Sequence, residues 1–420
     1  MTKIRFYNAK ILTMKDRNVI DGELWVDGDK ISYIGASKDN DTNWDRQIDC
    51  KGNLLMPGLK NAHTHTAMTF ARSLADEASL NDWLFKHIFP IEAKLTGDNI
   101  YWFSQLGFAE YLSSGTTACF DMYFNPEDQA RSATDAGFRH VFCGSVNDFG
   151  GIDRLEEEYN RFNSYNDLVS FKLGFHAEYT TSEEIMKRIS EISHKYEAPV
   201  FAHVSETRNE VEGCKERYGM SPVKVFDKLG LFDFGGGGFH CVWFDEEDRR
   251  IFKEKGLYSV FNNCSNLKLA SGAPKVYKFV NEGMNIAIGT DGAGSNNALN
   301  MFREMFLAST LANLEVEGGA FIDPYEILKA ATSTGARCMG LDDCDVLAEG
   351  KKADIVMIDM SHPTMNPVNN IVANLVYSGH PGIVKMTMIA GKVLYENGEF
   401  KTIDIAEVNR VTAKMMGELV

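Results

Sequence analysis

Residues 55–65 read LMPGLKNAHTH, an apolar run that closes on two histidines one residue apart. Seven more short apolar runs follow it along the chain. They are TTACFDMYF (116–124), RHVFCGSV (139–146), FKLGFHAEY (171–179), PVFAHVSE (199–206), GGFHCVWF (237–244), YSVFNNC (258–264) and NIAIGTD (285–291). Helix-like amphipathic stretches such as TSEEIMKRISEISHKYEA (181–198) and SPVKVFDKLGLF (221–232) separate them. Strand and helix alternating eight times is the pattern of an α/β protein of the (β/α)8, or TIM, barrel type.

Outside this stretch the pattern changes. KIRFYNAKILTM, ELWVDG and KISYIGA near the start, and ADIVMIDM and VKMTMIAGKVLYENGEF near the end, read as short strands joined by D-G and N-G turns. Strand-rich ends around a barrel predict one small β-sandwich domain built from both termini. The expected partition is 1–56 and 346–420 for that domain and 57–345 for the barrel.

The length of 420 residues fits this plan, since a barrel of this type takes roughly 250 residues as one unit. A net charge of −16 opposes phosphate backbones and anionic lipid, so the expected partner is a small molecule, with no nucleic acid and no membrane. Association into a homo-oligomer stays open. None of the eight cysteines forms a C-x-x-C pair and several sit in apolar runs, which predicts buried free thiols over a disulfide framework. The start, MTKIRFYNAKILTM, lacks the apolar stretch of a signal peptide. No segment approaches the ~18 apolar residues of a membrane span. A cytoplasmic enzyme is expected.

Chemistry-bearing residues sit at the ends of the runs, where a barrel builds its active-site mouth. His63 and His65 close the first run, His203 the fifth and Asp291 the eighth, and His240 lies in the sixth. Alternate residues of a strand share a side, so an H-x-H pair can send both imidazoles inward. A lone histidine in an apolar strand is more often a hydrogen-bonded core residue. Histidines at three strand ends with an aspartate at a fourth form a convergent set that can bind a divalent metal and leave a position open. Glu206 follows His203 by three residues; alone, that spacing is a weak signal and also suits a solvated glutamate opening a helix.

The segments PGLKNAHTHTAMTFARSLAD, HVSETRNEVEGC, HCVW, SNLKLASG and IGTDGAGSNN together resemble the amidohydrolase superfamily, in its branch of methylthioadenosine/S-adenosylhomocysteine deaminases and their chlorohydrolase relatives. The resemblance covers nearly the whole chain. It implies one divalent metal ion, zinc or alternatively iron, on His63, His65, His203 and Asp291. Two-metal relatives place a carboxylated lysine at the end of the fourth strand. Here the only lysine of that run, Lys172, is at its other end. The implied activity is hydrolytic deamination of an adenosine-type nucleoside. Metal lowers the pKa of bound water, Glu206 shuttles protons to the ring, Asp291 orients and deprotonates the water, and His240 stabilises the oxyanion. The resemblance also makes Glu92 the receiver of the ribose hydroxyls, His176 a substrate contact, and Arg154 a contact to the substrate tail. Trp83 is expected to line the pocket, although most tryptophans are simply core.

The chain departs from the pattern near several strand ends. Gly144 stands where many relatives have a second arginine, Phe261, Asn262 and Asn263 where they read H-N-P, and Glu178 within HAEY where H-x-P-Y is common. With Arg154 alone facing a carboxylate-bearing tail, the expectation is little preference for S-adenosylhomocysteine over neutral-tailed adenosines. Gly144→Arg is expected to shift that ratio, unless Gly144 serves close packing or Arg139 does the work. Two other readings compete: a deaminase or dechlorinase of guanine, a pterin, a pyrimidine or a triazine, and a non-catalytic scaffold on the same fold. The scaffold would be expected to lack metal ligands.

Overall fold

The computed structural model describes residues 2–39, 42–74, 76–77, 83–316, 318–319 and 321–419. Each of the eight apolar runs contains a strand: Leu59–Thr64, Thr116–Asp121, Arg139–Cys143, Val169–Ala177, Val200–Val204, Gly236–His240, Tyr258–Phe261 and Asn285–Ile288. Every strand pairs in parallel with the next, in chain order. The eighth returns to the first at one end, where the amides of Thr290 and Asp291 donate to the His63 carbonyl at 3.1 and 3.0 Å. The Asn61 carboxamide brackets Thr290, accepting from its amide at 2.9 Å and donating to its hydroxyl at 2.7 Å. Gly289 permits this seam, since a Cβ there would lie 2.6 Å from the His63 nitrogen.

Side-chain alternation divides each strand between two faces. Ala62, Ala118, Phe120, Val141, Phe201, Phe239, Val260 and Ala287 belong to one buried cluster. Small and large residues mix in it, and Phe120 lies 4.9 Å from Phe201 and 5.5 Å from Phe239 between ring centres. The barrel interior is therefore a packed core and not a pore. Helices Glu183–Tyr196 and Pro222–Lys228 form in the two stretches quoted above and bury Met186, Ile189, Val223 and Phe226 in the largest cluster.

The two ends of the chain meet in a mixed nine-stranded sheet. Its seam is the antiparallel pairing of Leu54–Pro57 with Ile355–Ile358. Ile4, Phe6, Leu24 and Val26 from the first end share a core with Ile355, Met357, Met386 and Met388 from the second. This sheet meets the barrel at the starts of the barrel strands. There, Arg139 donates through Nε and Nη2 to the two oxygens of Asp354 at 2.7 and 2.9 Å, and Lys60 Nζ lies 3.9 Å away. Burial alone would push the Asp354 carboxyl up, but the Arg139 guanidinium more than offsets it and holds the group at about 2.

All eight cysteines are buried and unpaired, as their apolar contexts imply. Among the described residues, no helix is long and apolar enough to cross a membrane.

Candidate metal centre

The opposite end of the barrel carries a different kind of residue. His63 is fully buried and stacks on Phe239 at 3.9 Å, yet neither ring nitrogen has a hydrogen-bond partner among the described residues. Thr64 turns away and bonds the Tyr111 hydroxyl at 2.7 Å. His65 returns to the His63 side, with the two ring centres 4.9 Å apart. His203 and His240 complete the group, at 4.9 and 5.6 Å from His63. The ligand atoms of His63, His203 and His240 lie within 4.8 Å of one another, and so do those of His63, His65 and Asp291.

Backbone carbonyls set two of these rings. His65 Nδ1 lies 2.6 Å from the Met122 oxygen, and His203 Nδ1 lies 2.7 Å from the His176 oxygen. A carbonyl only accepts, so in each ring Nδ1 carries the hydrogen and Nε2 keeps a free lone pair. Asp291 is divided in the same way. Its Oδ2 accepts from the hydroxyls of Ser265 at 2.6 Å and Ser295 at 2.7 Å. Its Oδ1 is left 3.2 Å from His65 Nε2 and 3.6 Å from His63 Nε2.

Electrostatics suit a cation here. Burial lowers His63 to about 3 and His203 well below its usual range, so both rings are neutral. Burial also works against a charge on His65, yet the neighbouring Asp291 carboxylate outweighs it and raises that ring to about 9. Positive charge is thus favoured at the point where Oδ1 and the ring nitrogens converge. The orphaned nitrogens of His63 and the N/O donor set both fit a borderline-soft divalent ion.

Beside this set, His240 Nε2 faces Glu206 Oε2 at 3.8 Å. The Asn266 amide meets His240 Nδ1 at 2.8 Å, and the Ser271 hydroxyl donates to Glu206 Oε1 at 3.0 Å. The backbone entering Glu206 is clamped as well: the amides of Ser205 and Glu206 donate to the two oxygens of Glu210 at 2.6 and 2.8 Å. Burial pushes Glu210 up to about 7 despite these donors. Ser205, His240 and Asp291 all adopt left-handed backbone, with φ of 53°, 76° and 59°. Such strain on non-glycine residues concentrates at functional sites. Ser265, Asn266, Ser271, Ser295 and Glu210 lie in the segments that carry the family resemblance, but the sequence reading gave none of them a role, nor either of the two carbonyls.

Other candidates fall around this centre to different degrees. Glu92 accepts from the Tyr123 hydroxyl at 2.6 Å, and burial raises its carboxyl; the Tyr123 ring lies 6.4 Å from His65. The His176 ring is 4.9 Å from His203 and bonds Thr180 at 2.8 Å. Trp83 is buried and packs on the turn after Asp291, where a Cβ on Gly294 would meet its ring at 2.7 Å. Arg154 is not drawn into the cluster: its side chain is 67% exposed and lies 3.8 Å from Glu158 on its own helix. Glu178 is buried and paired with Arg217 at 2.5 Å. Phe261 packs on Phe279, and the amides of Asn262 and Asn263 are buried with no partner among the described residues.

Two expectations about the substrate tail need correction. Gly144 is a packing residue: a Cβ there would sit 2.7 Å from both the Gly174 oxygen and the Leu155 side chain. The substitution Gly144→Arg therefore has no room. Arg139 does not stand in for the missing arginine, because it is spent on Asp354 at the far end of the barrel. One further grouping, Cys119, Asp121 and His140, contains the outward-facing Cys119. Cys119 Sγ lies 3.3 Å from His140 Nδ1, whereas Asp121 lies 3.7 Å from Nε2. The His140 ring thus lies between the two side chains. Asp121 accepts the Thr66 amide at 3.0 Å and fixes the turn after His65.

The chain is similar to known proteins over nearly its whole length. The amidohydrolase family model matches residues 54–394. The 5-methylthioadenosine/S-adenosylhomocysteine deaminase of Caldanaerobacter subterraneus subsp. tengcongensis is 37% identical, over 96% of this chain and 95% of the relative. The protein of the same name from Acetivibrio thermocellus is 38% identical, over 96% of each. Among solved structures, an adenosine deaminase from Xanthomonas campestris with bound zinc superimposes with a TM-score of 0.93 at 29% identity, covering 100% of this chain and 98% of that one.

Proposed function

The chain belongs to the amidohydrolase family, and from that premise we propose that it is a hydrolytic deaminase of adenosine-type nucleosides. Methylthioadenosine, S-adenosylhomocysteine, 5′-deoxyadenosine and adenosine are the substrates in view, and the products are the inosine analogue and ammonia. One observation carries the reading: a free carboxylate oxygen of Glu206 and a ring nitrogen of His240 face each other beside a convergent His/Asp donor set.

In this reading His63, His65, His203 and Asp291 hold one divalent ion, zinc before iron. When bound, such an ion acts as a Lewis acid and brings the pKa of water toward ~7. The protein groups move the protons. Asp291 accepts one from the attacking water through its free oxygen. Glu206 delivers one to ring nitrogen N1, so that the purine accepts a nucleophile at C6. The His240 Nε2–H donates to the oxygen that develops charge there. The proton held by Asp291 then reaches the exocyclic amine, the C6–N bond breaks and ammonia leaves, and the C6 hydroxyl proton passes to Glu206 as the carbonyl forms. Glu92 would receive the ribose hydroxyls, Trp83 and His176 would border the base, and Arg154 would approach a charged tail from the rim. The chemistry belongs to the barrel unit, residues 57–345, with 1–56 and 346–420 as the unit beneath it. The surroundings are those of a cytoplasmic enzyme acting on a small molecule.

The test is a panel of nucleosides and heterocycles incubated with purified protein, with ammonia measured. Turnover of adenosine-type compounds, with the ultraviolet change of adenine becoming hypoxanthine, is expected. Turnover confined to guanine, pterin, pyrimidine or triazine compounds would overturn the substrate assignment.

A further inference from the structure

We propose that the segment after the seventh barrel strand, residues 265–271, is a positioning element that aims three reacting groups at once. The proposal rests on the deaminase reading above, and its residues touch none of the reacting substrate atoms. Ser265 holds Asp291, Asn266 holds His240 and Ser271 holds Glu206, at 2.6, 2.8 and 3.0 Å. All three side chains are buried.

The same relation recurs three times. Each of the held groups has two polar atoms, and the segment ties up the one facing away from the chemistry. Asp291 Oδ2 is taken, which leaves Oδ1 toward His65 Nε2. His240 Nδ1 is taken, which leaves Nε2 toward Glu206. Glu206 Oε1 is taken, which leaves Oε2 toward His240. Buried polar residues that merely satisfied one another would have no reason to choose the rear atom every time. The Asn266 amide donates to Nδ1, so the hydrogen of a neutral His240 ring must sit on Nε2, where an oxyanion would need it.

The segment is also held firmly enough to aim other groups. The Cys264 amide before it donates to buried Glu304 at 3.1 Å, and Glu304 accepts from Asn296 in the turn after Asp291 at 2.7 Å. At its far end the Ser271 carbonyl accepts from the Trp243 indole at 2.7 Å, and the Ser271 amide donates to the Asn266 carbonyl at 2.9 Å. The seventh-strand loop is thus braced against the sixth and the eighth.

The experiment compares Ser265→Ala, Asn266→Ala, Ser271→Ala and Ser271→Thr with the natural protein. Thermal unfolding identifies any variant that fails to fold. Loss of a hydrogen bond to a charged group should lower kcat for Ser271→Ala by about ten-fold or more, with little change in KM. Ser271→Thr, which keeps the hydroxyl, should restore kcat. In competition with a chelator, Ser265→Ala should release zinc sooner, whereas Asn266→Ala and Ser271→Ala should hold it like the natural protein. A folded Ser271→Ala enzyme with unchanged kcat would overturn the proposal. So would equal zinc retention in all variants. If the natural protein released no ammonia from any compound, the deaminase reading would fail, and the zinc competition would still test the Ser265 arm.

Discussion

The two ends of the same barrel strands treat buried charge in opposite ways. At the floor, Lys60, Arg139 and Asp354 are almost wholly enclosed, and each is matched: Lys60 by Thr117 at 2.6 Å, and Arg139 by both oxygens of Asp354. At the mouth, three residues after Lys60, His63 is equally enclosed and neither of its ring nitrogens has a hydrogen-bond partner among the described residues. The backbone repeats the contrast. At the floor, left-handed conformations fall mostly on glycines such as Gly115, Gly137 and Gly236, where they cost little, with Glu197 as an exception. At the mouth they fall on Ser205, His240 and Asp291. An end that satisfies its own groups gives stability. An end that leaves them strained and unsatisfied is built for something that binds there.

Substitutions that separate stability from turnover test this contrast. The largest effect is expected at the mouth. His203→Ala should lose metal and activity together, read by elemental analysis beside an ammonia assay. Glu206→Gln should keep its metal and its thermal stability while turnover falls by ~10²- to 10⁴-fold, the scale of a lost acid–base group. Near-normal turnover in Glu206→Gln would remove Glu206 from the mechanism.

At the floor the effects should exchange places. Asp354→Asn strands Arg139 and Lys60 without their counter-charge, and removing one partner of a buried pair costs about 3–5 kcal/mol. Denaturant unfolding should show that loss, with kcat of the folded fraction retained. The pH dependence has a defined sign. The folded state holds Asp354 at about 2, below the ordinary aspartate value of about 3.9. Its contribution is therefore full above that ordinary value and fades as pH falls toward about 2. The natural protein should lose stability across that window more steeply than Asp354→Asn. The smallest effect belongs to the rim. Arg154→Ala should leave methylthioadenosine turnover alone and weaken S-adenosylhomocysteine by about ten-fold. An equal loss on both substrates would show that Arg154 does not meet the tail.

The sequence carried the fold because eight apolar runs and the amphipathic stretches between them are local patterns. It carried His63, His65, His203 and Asp291 because scarce residue types recurred at run ends. What it could not carry depends on which atom meets which. The Met122 and His176 carbonyls orient two histidines, and every residue has a carbonyl. Ser265, Asn266 and Ser271 lie in SNLKLASG, a segment that marked the resemblance, but their roles emerge only when the chain places them behind Asp291, His240 and Glu206. Arg139 and Asp354 are 215 positions apart, with no pattern to join them. Gly144 was read as a missing arginine, although its small size is what lets it pack against Gly174.

The central claim is that the mouth is a metal-dependent hydrolytic centre and the floor is not. Elemental analysis of protein made in ordinary medium, paired with adenosine-type turnover before and after chelation, addresses it directly. The expected result is about one transition-metal ion per chain, as one closed N/O donor set would hold. Turnover should disappear with the ion and return on adding zinc, while the ion-paired floor keeps the chain folded throughout. Metal-free protein with full turnover, or a fully occupied two-metal centre, would contradict the account.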